Sequence, residues 1–173
     1  MEPRADLLSG QGNPSFLAVR QQNNDFNCGV TLTAQPKTVN CTAGLAAFQN
    51  EGHFFAIAVK IESGRLVEIS LEQPAGGRGF GRRGGAATPP KVLATEKLPD
   101  NLNSIRLEIE GAGPVTKVFY TIGNGDRAHR AQLGQNLQSS FLSTQTAGGF
   151  QGVTLGMFAR LDPANSIPQN NNP

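Results

Sequence analysis

Two histidines, two cysteines and 13 carboxylates are the groups in this chain best placed to do acid–base, thiol or metal chemistry. Their spacing argues against most of it. A Ser/His/Asp arrangement needs its serine on a strand-to-helix elbow, and neither His53 nor His129 lies near such a turn. His129 sits among charged residues and reads as a solvated strand position. The carboxylates fall singly on alternating strand positions or in turns. Paired acid–base catalysis would need two held on opposite sides of one bond. No His/Cys/Asp cluster has the spacing of a zinc or calcium site. The sequence therefore implies no cofactor and no catalysis by this chain alone.

Recognition chemistry is better represented. Arg20, Gln21 and Gln22 form a polar run suited to hydrogen-bonding hydroxyls; the plainer reading makes Arg20 a sheet residue paired with a carboxylate. Phe150 is flanked by Gly148-Gly149 and Gly152, so its ring is carried on a tightly turning loop. Either that ring is exposed for contact, or it is core ahead of the last strand. His53 and Phe54 follow a turn; the plainer reading is a surface His and a core Phe, the other a binding contact at the hairpin tip. Cys28 and Cys41 lie at similar distances from the turn at Gln35–Thr38. That placement predicts neighbouring strands and a disulfide, which requires Cα atoms within ~7 Å. Asn40-Cys41-Thr42 matches a glycosylation sequon, a pattern frequent by chance.

The elements that would position these residues are almost all strands. Cys41–Val59 holds two apolar runs, Ala43–Phe48 and Phe54–Val59, separated by the turn residues Gln49–His53. They predict two adjacent antiparallel strands in the middle of a sheet. Alternation with period two marks Phe16–Gln22, Asn27–Ala34, Leu66–Glu72, Lys91–Glu96, Ser104–Glu110, Lys117–Ile122, Arg130–Leu133 and Val153–Arg160. Gln35-Pro36, Ser63-Gly64, Leu98–Asn101, Gly111–Pro114 and Gly123–Asp126 supply the turns. Ten or eleven strands, with 21 Gly and 11 Pro in 173 residues, predict an all-β, two-sheet antiparallel β-sandwich. The domain is expected over residues 14–162, between a flexible segment 1–13 and a disordered tail 163–173. A Gly/Arg-rich loop at 76–85 interrupts it.

The formal charge of +2 comes from Arg78, Arg82 and Arg83 in that loop. Setting those three aside from the 15 basic residues leaves 12 against 13 acidic. A neutral body argues against nucleic-acid or anionic-membrane partners. The loop has some likeness to an RNA-binding RGG segment, but one short copy reads more simply as a solvated hairpin insert. No run reaches the ~18 apolar residues of a membrane span. Met1-Glu-Pro-Arg lacks the layout of a signal peptide. The expectation is a cytoplasmic protein or a piece of something longer.

Phe16–Gln22, Ala43–Glu51 with His53-Phe54, Phe119–Gly125 and Gly148–Met157 together resemble the C-terminal β-sandwich domain of family 43 glycoside hydrolases, the β-xylosidases and α-L-arabinofuranosidases. The resemblance covers roughly residues 13–162 and implies a concanavalin-like jelly roll. It implies a five-bladed catalytic propeller as partner, with Phe150 in the Gly-Gly-Phe loop reaching across to wall the sugar pocket, and xylan or arabinoxylan within reach. Three departures stand out: the family chain usually enters this domain through an earlier strand and a linker whereas this one begins almost at the Arg-Gln-Gln strand, this chain has no Trp, and the loop at 76–85 resembles an insertion. The resemblance implies an accessory domain of a hemicellulose-degrading glycosidase, secreted if it is part of a longer hemicellulase. The alternatives are a free-standing carbohydrate-binding module and a lectin-like protein-interaction domain.

Overall fold

The computed structural model describes residues 1–75, 88–149 and 152–162. Among these residues eleven strands make two antiparallel sheets. The first five are β1 (Ser15–Arg20), β2 (Phe26–Thr33), β3 (Cys41–Asn50), β4 (His53–Glu62) and β5 (Arg65–Gln73). Then come β6 (Lys91–Lys97), β7 (Ser104–Ala112), β8 (Val115–Ile122), β9 (His129–Gln132), β10 (Leu137–Gln138) and β11 (Thr154–Leu161). The larger sheet runs β1-β11-β3-β4-β5-β6 and the smaller β10-β8-β7-β2, with β9 also paired to β8. The only α-helix among the described residues is α1 (Thr144–Ala147), a single turn. The two-sheet, all-β expectation holds, and β3–β4 occupy the centre of the larger sheet.

The near-continuous apolar runs of β3 and β4 arise because both faces of these strands are buried. Their odd-numbered side chains, among them Leu45, Ala47, Phe55, Ile57 and Val59, point into the core between the sheets. There they meet Ile105, Leu107 and Ile109 of β7 and Val118 of β8. Their even-numbered side chains, Ala46, Phe54, Ala56 and Ala58, form a second apolar cluster on the outer face with Phe158 of β11. Each fully buried Leu, Ile or Phe contributes about 1.5–3 kcal/mol by leaving water.

Two turns decide the connectivity. Ser63 and Gly64 both have positive φ, +50° and +73°. That is the pairing a two-residue hairpin turn demands, and it joins β4 to β5 in one sheet. The turn at Gln35–Thr38 is real: the Thr38 amide donates to Gln35 O at 2.8 Å. It carries the chain between sheets, however, from β2 to β3. The expected adjacency of the two cysteine strands is therefore wrong. Alternation reports which face a strand buries, not which strand it pairs with.

The N-terminal segment, expected to be flexible, is laid across the outer face as a strap. Leu8 is buried in the outer cluster. Leu161 N donates to Arg4 O at 2.8 Å. The Asn13 amide donates to Asp6 Oδ2 at 3.1 Å, and Ser15 Oγ donates to Glu2 O. On the same face Arg160 makes a two-pronged ion pair with Glu72, at 2.8 and 2.7 Å. The Glu72 residue is only 4% exposed. The loop expected at 76–85 and the tail 163–173 lie outside the described residues.

Candidate functional site

The end of the sandwich that carries Gly148-Gly149 is built from local capping chemistry. A single 3-10 turn covers Ser139–Leu142. Ser143 then caps α1, its Oγ accepting from the Thr146 amide at 3.3 Å. The helix stops at Gly148, whose amide donates to Thr144 O at 2.9 Å. Gly148 and Gly149 have φ of +72° and +78°, so two successive residues occupy the left-handed region that glycine enters without strain. Phe150 itself lies outside the described residues. The described chain resumes at Gly152, where an added Cβ would stand 3.5 Å from Nη1 of Arg20. Arg20 is thus beside the foot of the Gly-Gly-Phe loop.

The β3–β4 hairpin tip holds this end in place. Asn50 Nδ2 donates to Ala147 O at 3.0 Å, tying the tip to the last residue of α1. Asn50 Oδ1 accepts from the Gly52 amide at 3.0 Å and lies 3.0 Å from Nδ1 of His53. An amide oxygen only accepts, so His53 carries its proton on Nδ1. The His53 ring rests against Phe141, centroids 4.9 Å apart, and Phe141 against Phe55 at 5.2 Å. Burial pushes the His53 pKa below its ordinary value. His53 is thereby a half-buried joint in the hairpin tip, while Phe54 is buried in the outer cluster.

The other sequence-derived candidates are dispersed. Arg20 is exposed and forms no ion pair among the described residues, contrary to the reading that pairs it with a carboxylate. Gln22 is exposed beyond the end of β1. His129 is exposed on β9. Cys28 and Cys41 are free thiols on opposite sheets, Cys28 opposite Ile109 and Cys41 opposite Ile61, so the expected disulfide is absent. Burial raises both thiol pKa values, and for Cys41 the Asp162 carboxylate adds to the rise. Both thiols are therefore protonated at neutral pH. No group of three or more His, Cys, Asp or Glu side chains suited to a metal was found among the described residues.

Two features were not read from the sequence. First, the larger sheet overhangs the smaller at the β1 edge. Leu17 opposite Met157, and Val19 opposite Leu155, face the same side as the inter-sheet core. Yet Leu17, Val19 and Met157 are 62%, 69% and 40% exposed. They form an apolar strip that ends beside Arg20 and the foot of the Gly-Gly-Phe loop. Second, a cleft of about 340 Å³ opens between the β1–β2 connection, the β7–β8 turn and the Ser139–Ser143 segment. Its lining comes from residues far apart in sequence, which is why no motif announced it.

A family model described as the β-xylosidase C-terminal concanavalin A-like domain matches residues 1–166. The chain belongs to this family. A xylosidase/arabinosidase from Butyrivibrio fibrisolvens is 24% identical over 158 residues, covering 90% of the chain and 27% of that protein. Among solved structures, a GH43_12 protein retrieved from a capybara gut metagenome superposes with a TM-score of 0.77 at 24% identity. It covers 92% of this chain, which spans 28% of that one. A xylan β-1,4-xylosidase from Bacillus Halodurans C-125 gives a TM-score of 0.70 at 16% identity, with coverages of 95% and 29%. The β-xylosidase C-terminal domain therefore occupies nearly all of this chain, and the chain corresponds to little more than a quarter of these relatives.

Proposed function

We propose that this chain is an accessory domain that packs on a family 43 glycosidase propeller and helps shape its sugar pocket, with no hydrolytic activity of its own. The observation that carries the reading is the exposed strip of Leu17, Val19 and Met157 beside the Gly-Gly-Phe loop. Three large apolar side chains left on one face mark a surface meant to be covered. Its position puts the base of the Phe150 loop at the rim of whatever covers it. Arg20 and Gln22 then border the contact, and Gly148-Gly149 supply the sharp turn that ends α1 ahead of Phe150. Within such a complex Phe150 would wall the pocket. Xylan or arabinoxylan is the substrate class the relatives suggest.

The test is reconstitution. A family 43 propeller expressed without its own β-sandwich is mixed with this chain, and complex formation and hydrolysis of an aryl β-xyloside are followed. The expected result is a one-to-one complex with restored turnover, no turnover by this chain alone, and loss of the complex when Leu17 and Met157 are changed to Asp. Complex formation unaffected by those changes would remove the strip from the docking role. Phe150→Ala should lower kcat/KM of the complex about tenfold, the equivalent of ~1.4 kcal/mol of transition-state contact. Normal turnover with a destabilised domain would instead make Phe150 a core residue.

A further inference from the structure

The cleft between the β1–β2 connection and the Ser139–Ser143 segment has a chemistry of its own. Hydroxyl and amide side chains line it, among them Gln21, Asn24, Thr116 and Ser140, with Phe26 and Leu142 as apolar walls. Among the described residues no Asp, Glu, Lys, Arg or His side chain lines it, and the nearby Asp25 carboxylate is engaged by the Gly113 amide. Phosphates and carboxylates are normally held by cations or by the N-termini of long helices, and ammonium groups by carboxylates. A mostly hydrocarbon wall set with a few uncharged hydroxyl and amide groups instead suits a neutral polyhydroxylated ligand.

The walls are fixed before any ligand arrives. The Gly113 amide donates to Asp25 Oδ1 at 2.8 Å, binding the β1–β2 connection to the β7–β8 turn. The Ser139 amide donates to Pro114 O at 2.9 Å, and the Ser139 and Thr116 hydroxyls are 2.9 Å apart. The Gln21 amide donates to Val153 O at 2.9 Å. The Phe26 ring lies on the backbone of Gly111, where an added Cβ would stand 2.2 Å from its Cε1. By contrast, the side chains of Asn24 and Ser140 are exposed and make no hydrogen bond among the described residues. A rigid frame with unengaged polar groups at its rim is what lowers the ordering cost of binding. The volume lies at the small end of the range for ligand sites, room for a short saccharide but not for a long one.

We propose that this cleft binds one or two units of a neutral saccharide, at a site next to the end of the docking strip but not built from its apolar side chains. The proposal does not rest on the propeller reading. The experiment titrates the isotope-labelled 173-residue chain with xylobiose and follows backbone amide shifts, with glucuronate as a charged control. The expected result is saturable shifts for Asn24, Phe26, Gly113 and Ser140 in the millimolar range, with no comparable response to glucuronate. Ser140→Arg and Asn24→Arg, both at exposed positions, should each weaken binding about tenfold or more, while Leu17→Asp leaves it unchanged. No shifts up to the solubility of xylobiose, shifts centred elsewhere, equal binding of glucuronate, or wild-type affinity in both arginine variants would each overturn the assignment.

Discussion

Both faces of the larger sheet carry apolar side chains, but they are treated differently. On the outer face the strap of residues 1–13 lays Leu8 over Phe54, Ala56 and Phe158, and the Glu72–Arg160 pair closes the flank. On the inner face the smaller sheet covers β3, β4 and β5 but leaves Leu17, Val19 and Met157 bare at the β1 edge. The outer face is sealed from within the chain, whereas the inner strip is left exposed. Apolar composition is therefore no guide to coverage; what counts is how far the opposing layer extends.

The contrast breaks most sharply at Arg160. Arg160→Met strands a carboxylate that is nearly out of solvent, so unfolding in urea should show a loss of about 3–5 kcal/mol. Adding Glu72→Leu should recover most of it, since an apolar replacement of a buried pair is often neutral. If Arg160→Met is silent, the outer face is open to water and the contrast fails. Next in size is the strap. Leu8→Ala should lower stability by about 2 kcal/mol or more, in the range of buried Leu truncations. A strap that is truly loose would give no change. On the bare strip the expectation reverses: Leu17→Ser and Met157→Ser should shift the stability of the isolated chain by no more than ~0.5 kcal/mol.

The smallest effect is protonic. The folded chain holds His53 below its ordinary pKa through burial, so the unfolded chain binds a proton at a pH where the folded one does not. This group's contribution is fully present above the unfolded value near ~6.5 and falls away as pH drops below it. Between pH 7 and 5 the native chain should therefore lose more stability than His53→Gln, as read by denaturation midpoints. Equal loss would show that the hairpin tip is solvated.

The strands were legible because alternation survives wherever one face is wet, as in Ile105, Leu107 and Ile109 of β7. The central pair was legible for the opposite reason, since burial on both faces leaves an unbroken apolar run. What could not be read was anything dependent on partner choice. Cys28 and Cys41 flank a genuine turn, but the turn changes sheets. The strap looks polar because Leu7 and Leu8 are its only strong apolar signal in thirteen residues. Of the site, the Gly-Gly turn and the burial of Phe54 were accessible. Ser143 as a helix cap was there to be noticed. The cleft was not, because three connections meet there by topology alone.

The last strand has a consequence for the order of events. β11 lies between β1 and β3, paired to both over most of its length. A ribosome delivers β1 first and β11 last, so β1 has no partner in its sheet until residues 154–161 emerge. Until then the even-numbered residues of β3 lack Phe158, and β1 is an unpaired edge of the kind that seeks another chain. Completion of this sheet thus waits for β11, and a chain stopped just before Thr154 would lose two strands for the removal of one.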